Sequence, residues 1–286
     1  MKKLAGFALI ITGIVILIAS LPAVFPSTSE AVGDQGQFDL TQVEDLILTS
    51  TAVDWEIETY SGTELLVRLE NQNRSVQLQS AEQQSRLEVK VEEERFRFLS
   101  FSFMKEPTKA VVQIPASYQD KLNIKSVSGD LNMNGEQVLT SLDVRTVSGD
   151  VVVGPVTAPD VSVATTSGDI EINGLDGAST TLNSTSGDIE VSRLHGAINA
   201  KTVSGDIEVD YVAENQAAEL KTTSGDVEVW LPDGNAEIEA KTTSGDIQIN
   251  AELLDSSLQS KAISGKIGKG EHPFFISTTS GDIDLH

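Results

Sequence analysis

The 286 residues contain no cysteine. Disulfides, thiol nucleophiles and cysteine metal ligands are therefore excluded, while an oxidising exterior remains compatible. Histidine is scarce, with only His195, His272 and His286 present, and aromatic residues make up 5% of the chain. Positive charge is also in short supply. Lys and Arg total 20 against 43 Asp and Glu, for a net charge of −23. Lys2 and Lys3 precede the first acid, Glu30, so the remainder carries 43 acids against 18 bases, or −25. A chain this acidic is a poor match for nucleic acid or anionic lipid, both of which select basic surfaces. Its charge favours solubility, cations or a basic partner.

One long apolar run stands apart. Residues 4–25, LAGFALIITGIVILIASLPAVF, are 22 residues without a charge. As a helix they would extend about 33 Å, enough to cross a hydrocarbon core of about 30 Å. With Lys2 and Lys3 before it and acidic sequence after it, the run predicts a single-pass signal anchor. The expected layout is a cytoplasmic tip at 1–3, a membrane span at 4–25, a Ser/Gly/Pro/Gln-rich linker at 26–37 and an extracellular domain at 38–286. Cleavage at Ser29-Glu30-Ala31, a small-x-small sequence, is the competing expectation.

The extracellular part is dominated by a repeat. Ser-Gly-Asp closes at Asp130, Asp150, Asp169, Asp188, Asp206, Asp226 and Asp246, becomes Ser264-Gly265-Lys266, and returns at Asp282. The steps are 20, 19, 19, 18, 20, 20, 20 and 16 residues. A period this regular predicts stacked units rather than a core built around one active site. With the Asp as position zero, aliphatic residues recur at −8, −6, +1 and +3, Ser or Thr at −4, and Ser at −2. Period-2 alternation interrupted by a Gly corner predicts an all-β parallel solenoid of about 19-residue coils stacked at about 4.8 Å. The alternation places −4 and −2 inward and sends Lys or Arg at −5 and Glu at +2 outward. Residues 116–286 are the regular coils. Residues 38–115 read as irregular early coils, with Asp54 as a degenerate first corner. Lys266 predicts an interruption in the Asp row.

These features resemble the bacterial adhesin-like β-solenoid family with SGD repeats. The resemblance rests on the apolar N-terminus, the Val111-Val112-Gln113-Ile114-Pro115 segment and the serial T-x-S-G-D-aliphatic coils. The single-span layout is most similar to its LiaG-like, membrane-anchored members, associated with cell-envelope stress. The resemblance implies a non-catalytic surface role and supplies no catalytic residues.

Candidate sites follow from the pattern. Asp130, Asp150, Asp169, Asp188, Asp206, Asp226, Asp246 and Asp282 could line up as Ca²⁺ ligands, although one carboxylate per coil is few for a hard cation and turn capping explains them as well. No other cofactor is expected. Phe96, Phe98, Phe101 and Phe103 in RFRFLSFSFM are candidates for partner docking or for covering core. The expected partners are the membrane through the helix, an envelope protein or a polysaccharide, and a second copy end to end, since the chain stops inside a repeat without a cap. A wall-associated adhesin is the alternative function. A carbohydrate-active β-helix enzyme ranks third, because identical acids give no differentiated acid/base pair.

Overall fold

The computed structural model describes residues 30–70, 76–93 and 108–286, and these are all-β. The expected span at 4–25 and the four candidate phenylalanines lie outside them. Among the described residues no helix is long and apolar enough to cross a membrane.

The coils stack as a parallel β-solenoid. In one coil, Ser141–Arg145 leads through the Ser-Gly-Asp corner into Val151–Val153, and the short strand Val156–Thr157 returns the chain to Asp160–Ala164. Equivalent strands pair in register, with Leu142 between Leu122 and Val161, and Val151 between Leu131 and Ile170. Side chains at −8, −6, +1 and +3 therefore pile into continuous inward ladders. Ile124, Val153, Ile172, Val191, Val209 and Val229 are fully enclosed. Each coil gains its apolar burial from its neighbours, as a quasi-one-dimensional architecture requires.

Position −4 faces inward as the alternation predicts, and Ser126, Thr146, Thr165, Ser184, Thr202, Thr222, Thr242 and Thr278 are all buried. Several of these hydroxyls donate to the Gly carbonyl of an adjacent coil: Thr202 to Gly187 at 3.0 Å, Thr222 to Gly205 at 2.9 Å and Thr278 to Gly225 at 3.0 Å. Position −2 departs from the expectation. Ser128, Ser148, Ser167, Ser186, Ser204, Ser224, Ser244 and Ser280 are exposed. The corner begins before its glycine, so strand alternation ends at −4, and the −2 serines meet only through a parallel ladder of backbone bridges.

The stack order differs from the chain order. Ser280 bridges both Ser224 and Ser244, so the coil ending at Asp282 lies between those of Asp226 and Asp246. His272–Ser277 pairs in parallel with Ala218–Lys221 on one side and Ala236–Lys241 on the other. Ser264-Gly265-Lys266 is not a corner at all. It lies in Ala262–Ile267, which runs antiparallel to Ala236–Lys241 and forms a hairpin with Leu254–Gln259. The interruption expected at Lys266 is thus absent from the Asp row. The uncapped end also takes a different form, since the last residues sit inside the stack.

The opposite end also closes with antiparallel strands. Lys109–Pro115 adds in parallel to Asp54–Tyr60, then pairs antiparallel with Glu64–Glu70, which pairs antiparallel with Gln35–Asp39. On the neighbouring face, Arg86–Glu93 joins Asp45–Ala52 in parallel, and Val76–Gln83 and Glu30–Gly33 follow antiparallel. Part of the stretch expected as a linker is therefore strand. Antiparallel hairpins end a solenoid because the reversal breaks the coil path, so no further identical turn is offered.

The corner glycines are required on two counts. Gly187 has φ of +156° and Gly205 +154°. A Cβ at Gly187 would lie 2.6 Å from the carbonyl carbon of Gly168 in the coil below. Gly187→Ala is expected to cost about 3 kcal/mol from combined strain and overpacking. Thermal unfolding followed by circular dichroism checks this, with Gly33→Ala as the comparison, since Gly33 has φ of +85° but open space around it.

Candidate functional site

The Ser-Gly-Asp corners bring the predicted aspartates into one line. Each donates its backbone N–H to the carboxylate of the Asp beneath it. Asp130 donates to Asp54 Oδ1 at 3.0 Å, Asp150 to Asp130 at 3.0 Å, and Asp169 to Asp150 at 2.9 Å. Asp188 donates to Asp169 and Asp206 to Asp188, both at 2.8 Å. Asp226 to Asp206, Asp282 to Asp226 and Asp246 to Asp282 follow at 2.7 Å. Asp54 is the first member, as the degenerate corner in the sequence suggests.

The final carboxylate, Asp246, has no further coil to cap. Lys261 supplies the missing donor: its Nζ bonds to Asp246 Oδ1 at 3.3 Å and to the Gly245 carbonyl. The side chain of Lys261 thus stands in for the next turn of backbone. The repeat period did not point to this role, because Lys261 falls in the row of outward Lys and Arg residues at −5.

In this arrangement the row works as a hydrogen-bond chain. From Asp54 to Asp282 one oxygen of each carboxylate is committed to a backbone N–H, and that of Asp246 to Lys261, interactions that also offset part of the repulsion between stacked charges. That repulsion is about 0.9 kcal/mol for a pair 4.8 Å apart in water. Among the described residues no group of three or more His, Asp or Glu side chains could hold a metal ion. His195 lies at the surface with Nδ1 3.1 Å from Asp176, midway along the coil between the Asp188 and Asp206 corners.

Two outward strips flank the corner, and their electrostatics differ. On the strand before it, positions −7 and −5 carry opposite charges that pair. Glu219 receives Lys201 at 3.3 Å and also bonds Lys221, and Arg145 reaches Asp143 at 3.0 Å. The Lys221 ammonium, with Lys201 behind it, holds the Glu219 carboxyl below its usual range. On the strand after the corner, Glu171, Glu190, Glu208, Glu228 and Asp284 stack in register. The basic group reaching this strip is His286, whose Nε2 is 3.0 Å from Glu228 and whose ring stacks on Trp230 at 5.3 Å. Partial burial first, then repulsion from Glu190, Glu228 and Asp210, pushes the Glu208 carboxyl upward. An acidic strip with so little basic compensation among the described residues suits a basic or cationic partner.

Other buried groups are structural. The Tyr118 hydroxyl accepts Leu46 N–H at 3.0 Å and donates to the Lys121 carbonyl at 2.6 Å, tying together the starts of two paired strands. The Tyr211 hydroxyl is enclosed without a partner. A groove of about 640 Å³ runs between the Leu254–Ile267 hairpin and the sheet face, lined by Glu237, Glu239, Asp255, Lys266 and the half-exposed Phe275.

Comparison with known proteins agrees with this architecture. The model of the Toastrack DUF4097 family matches residues 43–286. No curated protein matches the chain. The crystal structure of an adhesin-like protein from Bacteroides fragilis is similar at 12% identity, with a TM-score of 0.52, over 91% of this chain and 99% of that one. A cell-adhesion-type protein from Clostridium sporogenes aligns at 8% identity, with a TM-score of 0.34, over 90% and 99%. The Bacteroides fragilis similarity speaks to fold alone.

Replacing Asp188 by Asn keeps an acceptor oxygen for the Asp206 N–H and relieves charge repulsion, whereas Ala leaves that N–H without its partner. Asp188→Ala is expected to lower the unfolding midpoint by a few degrees, with Asp188→Asn close to the parent, and chelator or Ca²⁺ to shift none of the three. The raised Glu208 value means that the folded state binds its proton more tightly than the unfolded chain does. Its contribution is present below the ordinary Glu range and is lost as pH rises through the raised value. Glu208→Gln should therefore raise the midpoint at neutral pH and bring no gain in acid, as measured by melts across pH.

Proposed function

Because the chain belongs to the Toastrack DUF4097 family, we propose that it is a non-catalytic, membrane-anchored extracellular interaction module of the cell envelope, engaged in the response to envelope stress. Its adhesin-like β-solenoid is the part that contacts partners. The observation that carries this reading is uniformity. The corner acids from Asp54 to Asp282 are all used in the same way, each accepting one backbone N–H, and Asp246 at the end of the row accepts from Lys261 in place of that N–H, so the row offers no differentiated acid and base. Catalysis on a solenoid needs such a differentiated pair. What varies along the surface is charge, with a paired strip on one side of the corner and the Glu171 to Asp284 strip on the other. The acidic strip is the face best suited to a partner, and a basic protein segment of the envelope is the chemistry it fits. Anchoring is supported by Lys2, Lys3 and the uncharged run at 4–25.

A second reading is favoured by the small-x-small sequence at Ser29-Glu30-Ala31. Cleavage there would release the solenoid as a wall-associated adhesin for polysaccharide or a host surface.

Surface crosslinking of a tagged copy in intact cells tests both. The expected result is capture of membrane signalling or envelope proteins by a chain that still begins at Met1, with capture weakened when Glu190, Glu208 and Glu228 are changed together to Gln. Recovery of glycan on a chain starting near residue 32 would replace the anchored reading with the released one.

A further inference from the structure

The coil that closes the sequence occupies a slot formed by earlier residues. His272–Ser277 has parallel partners on both edges, and so does Ile283–Leu285, between Val227–Trp230 and Ile247–Ile249. Phe274, Ile283 and Leu285 are fully enclosed, and Phe274 packs against Tyr211 at 6.1 Å. The slot reads its occupant through a register code shared by all three coils: Thr222–Asp226, Thr278–Asp282 and Thr242–Asp246 are each Thr-Thr-Ser-Gly-Asp. The segment enters through residues 268–271, where Gly268 and Gly270 have φ of +62° and +68°. A clasp on Asn235 fixes that entry. Asn235 Oδ1 accepts Glu271 N–H at 3.1 Å, and its amide donates to Glu271 at 2.8 Å and Glu214 at 2.5 Å.

We infer that this slot is a strand-exchange site for a second copy of the chain, with residues 272–286 of one molecule filling the slot of another. Every contact the segment makes in its slot is with a surface that a second copy presents identically. The ladder bonds to Asp226 and Asp246, the Phe274 pocket and the Asn235 clasp all re-form in the exchanged dimer. Only the hinge at 268–270, ahead of the clasped Glu271, changes path, and its two glycines suit that change. Exchange of an identical element is a low-cost route to dimers for this reason. The result is a dimer joined through the interiors of two solenoids, distinct from end-to-end stacking and independent of the partner of the acidic strip.

The absence of native cysteine makes the test direct. Lys221 in the slot wall and Ser277 in the segment are register partners on adjacent strands. Full-length Lys221→Cys and Ser277→Cys chains carrying different tags are mixed at high concentration, warmed to just below the unfolding midpoint, cooled and treated with a short bismaleimide. The expected product carries both tags at twice the monomer mass. A double variant, Lys221→Cys with Ser277→Cys, crosslinked within one chain beforehand, should form no such dimer with either single variant under the same protocol. The inference fails if the double variant crosslinks internally but the mixed single variants give no doubly tagged species. It fails equally if Lys125→Cys, six coils away from the segment in the stack, captures Ser277→Cys as well as Lys221→Cys does.

Discussion

A parallel stack of short coils depends on what happens where each coil turns. Strands bond along their length, but at a corner the backbone leaves the ladder and its N–H needs an acceptor. In this protein the acceptor is the carboxylate of the coil below, repeated from Asp54 through Asp246. The bond fixes three things together. It sets the vertical step, because a carboxylate reaches only the next coil. It sets the register, because each Asp bonds its own counterpart. It also demands glycine before the aspartate, since a side chain there would strike the carbonyl beneath. The buried Thr at −4 reinforces the corner from inside by bonding the same glycine carbonyls. Ser, Gly and Asp are thus one device, and the aliphatic ladders on either side are aligned by it.

That device explains why a surface so rich in acid tolerates its own charge. A carboxylate with a committed N–H donor is stabilised as an anion, and the strip before the corner balances its acids with Lys and Arg. The strip after the corner has less balance, and burial first, then the neighbouring acids, shift the Glu208 carboxyl in its middle upward. The uniform corners are architecture, and the less balanced strip is the face on which the proposed recognition rests.

Much of this was legible in the sequence, because a solenoid writes its geometry into its period. The positions at −8, −6, +1 and +3 are the core, and −4 is buried as the alternation requires. The −2 serines were misplaced because period-2 reasoning assumes a strand continues up to its glycine, while the corner begins earlier. The stack order was hidden for a different reason. Lys266 falls 20 residues after Asp246, a spacing identical to true repeats, so periodicity alone cannot reject it. Chemistry could have done so. Ala262 stands at the −4 position of that false repeat, where a buried coil needs a hydroxyl for the glycine carbonyl, and Lys cannot accept the N–H that Asp accepts. Lys261 was unreadable as a cap because its role exists only once the hairpin turns it toward the exposed end of the Asp chain.

The inserted coil also governs the order in which the molecule can be finished. As the chain emerges from N- to C-terminus, each turn from Leu131 to Trp230 finds its seat ready on the turn before it. The turn around Asp246 does not, because its lower neighbour has yet to appear. It must wait, or rest provisionally on the Asp226 turn, until residues 272–286 arrive and are admitted between them. Residues 272–286 thus act as a keystone, seating a coil that the chain has already passed.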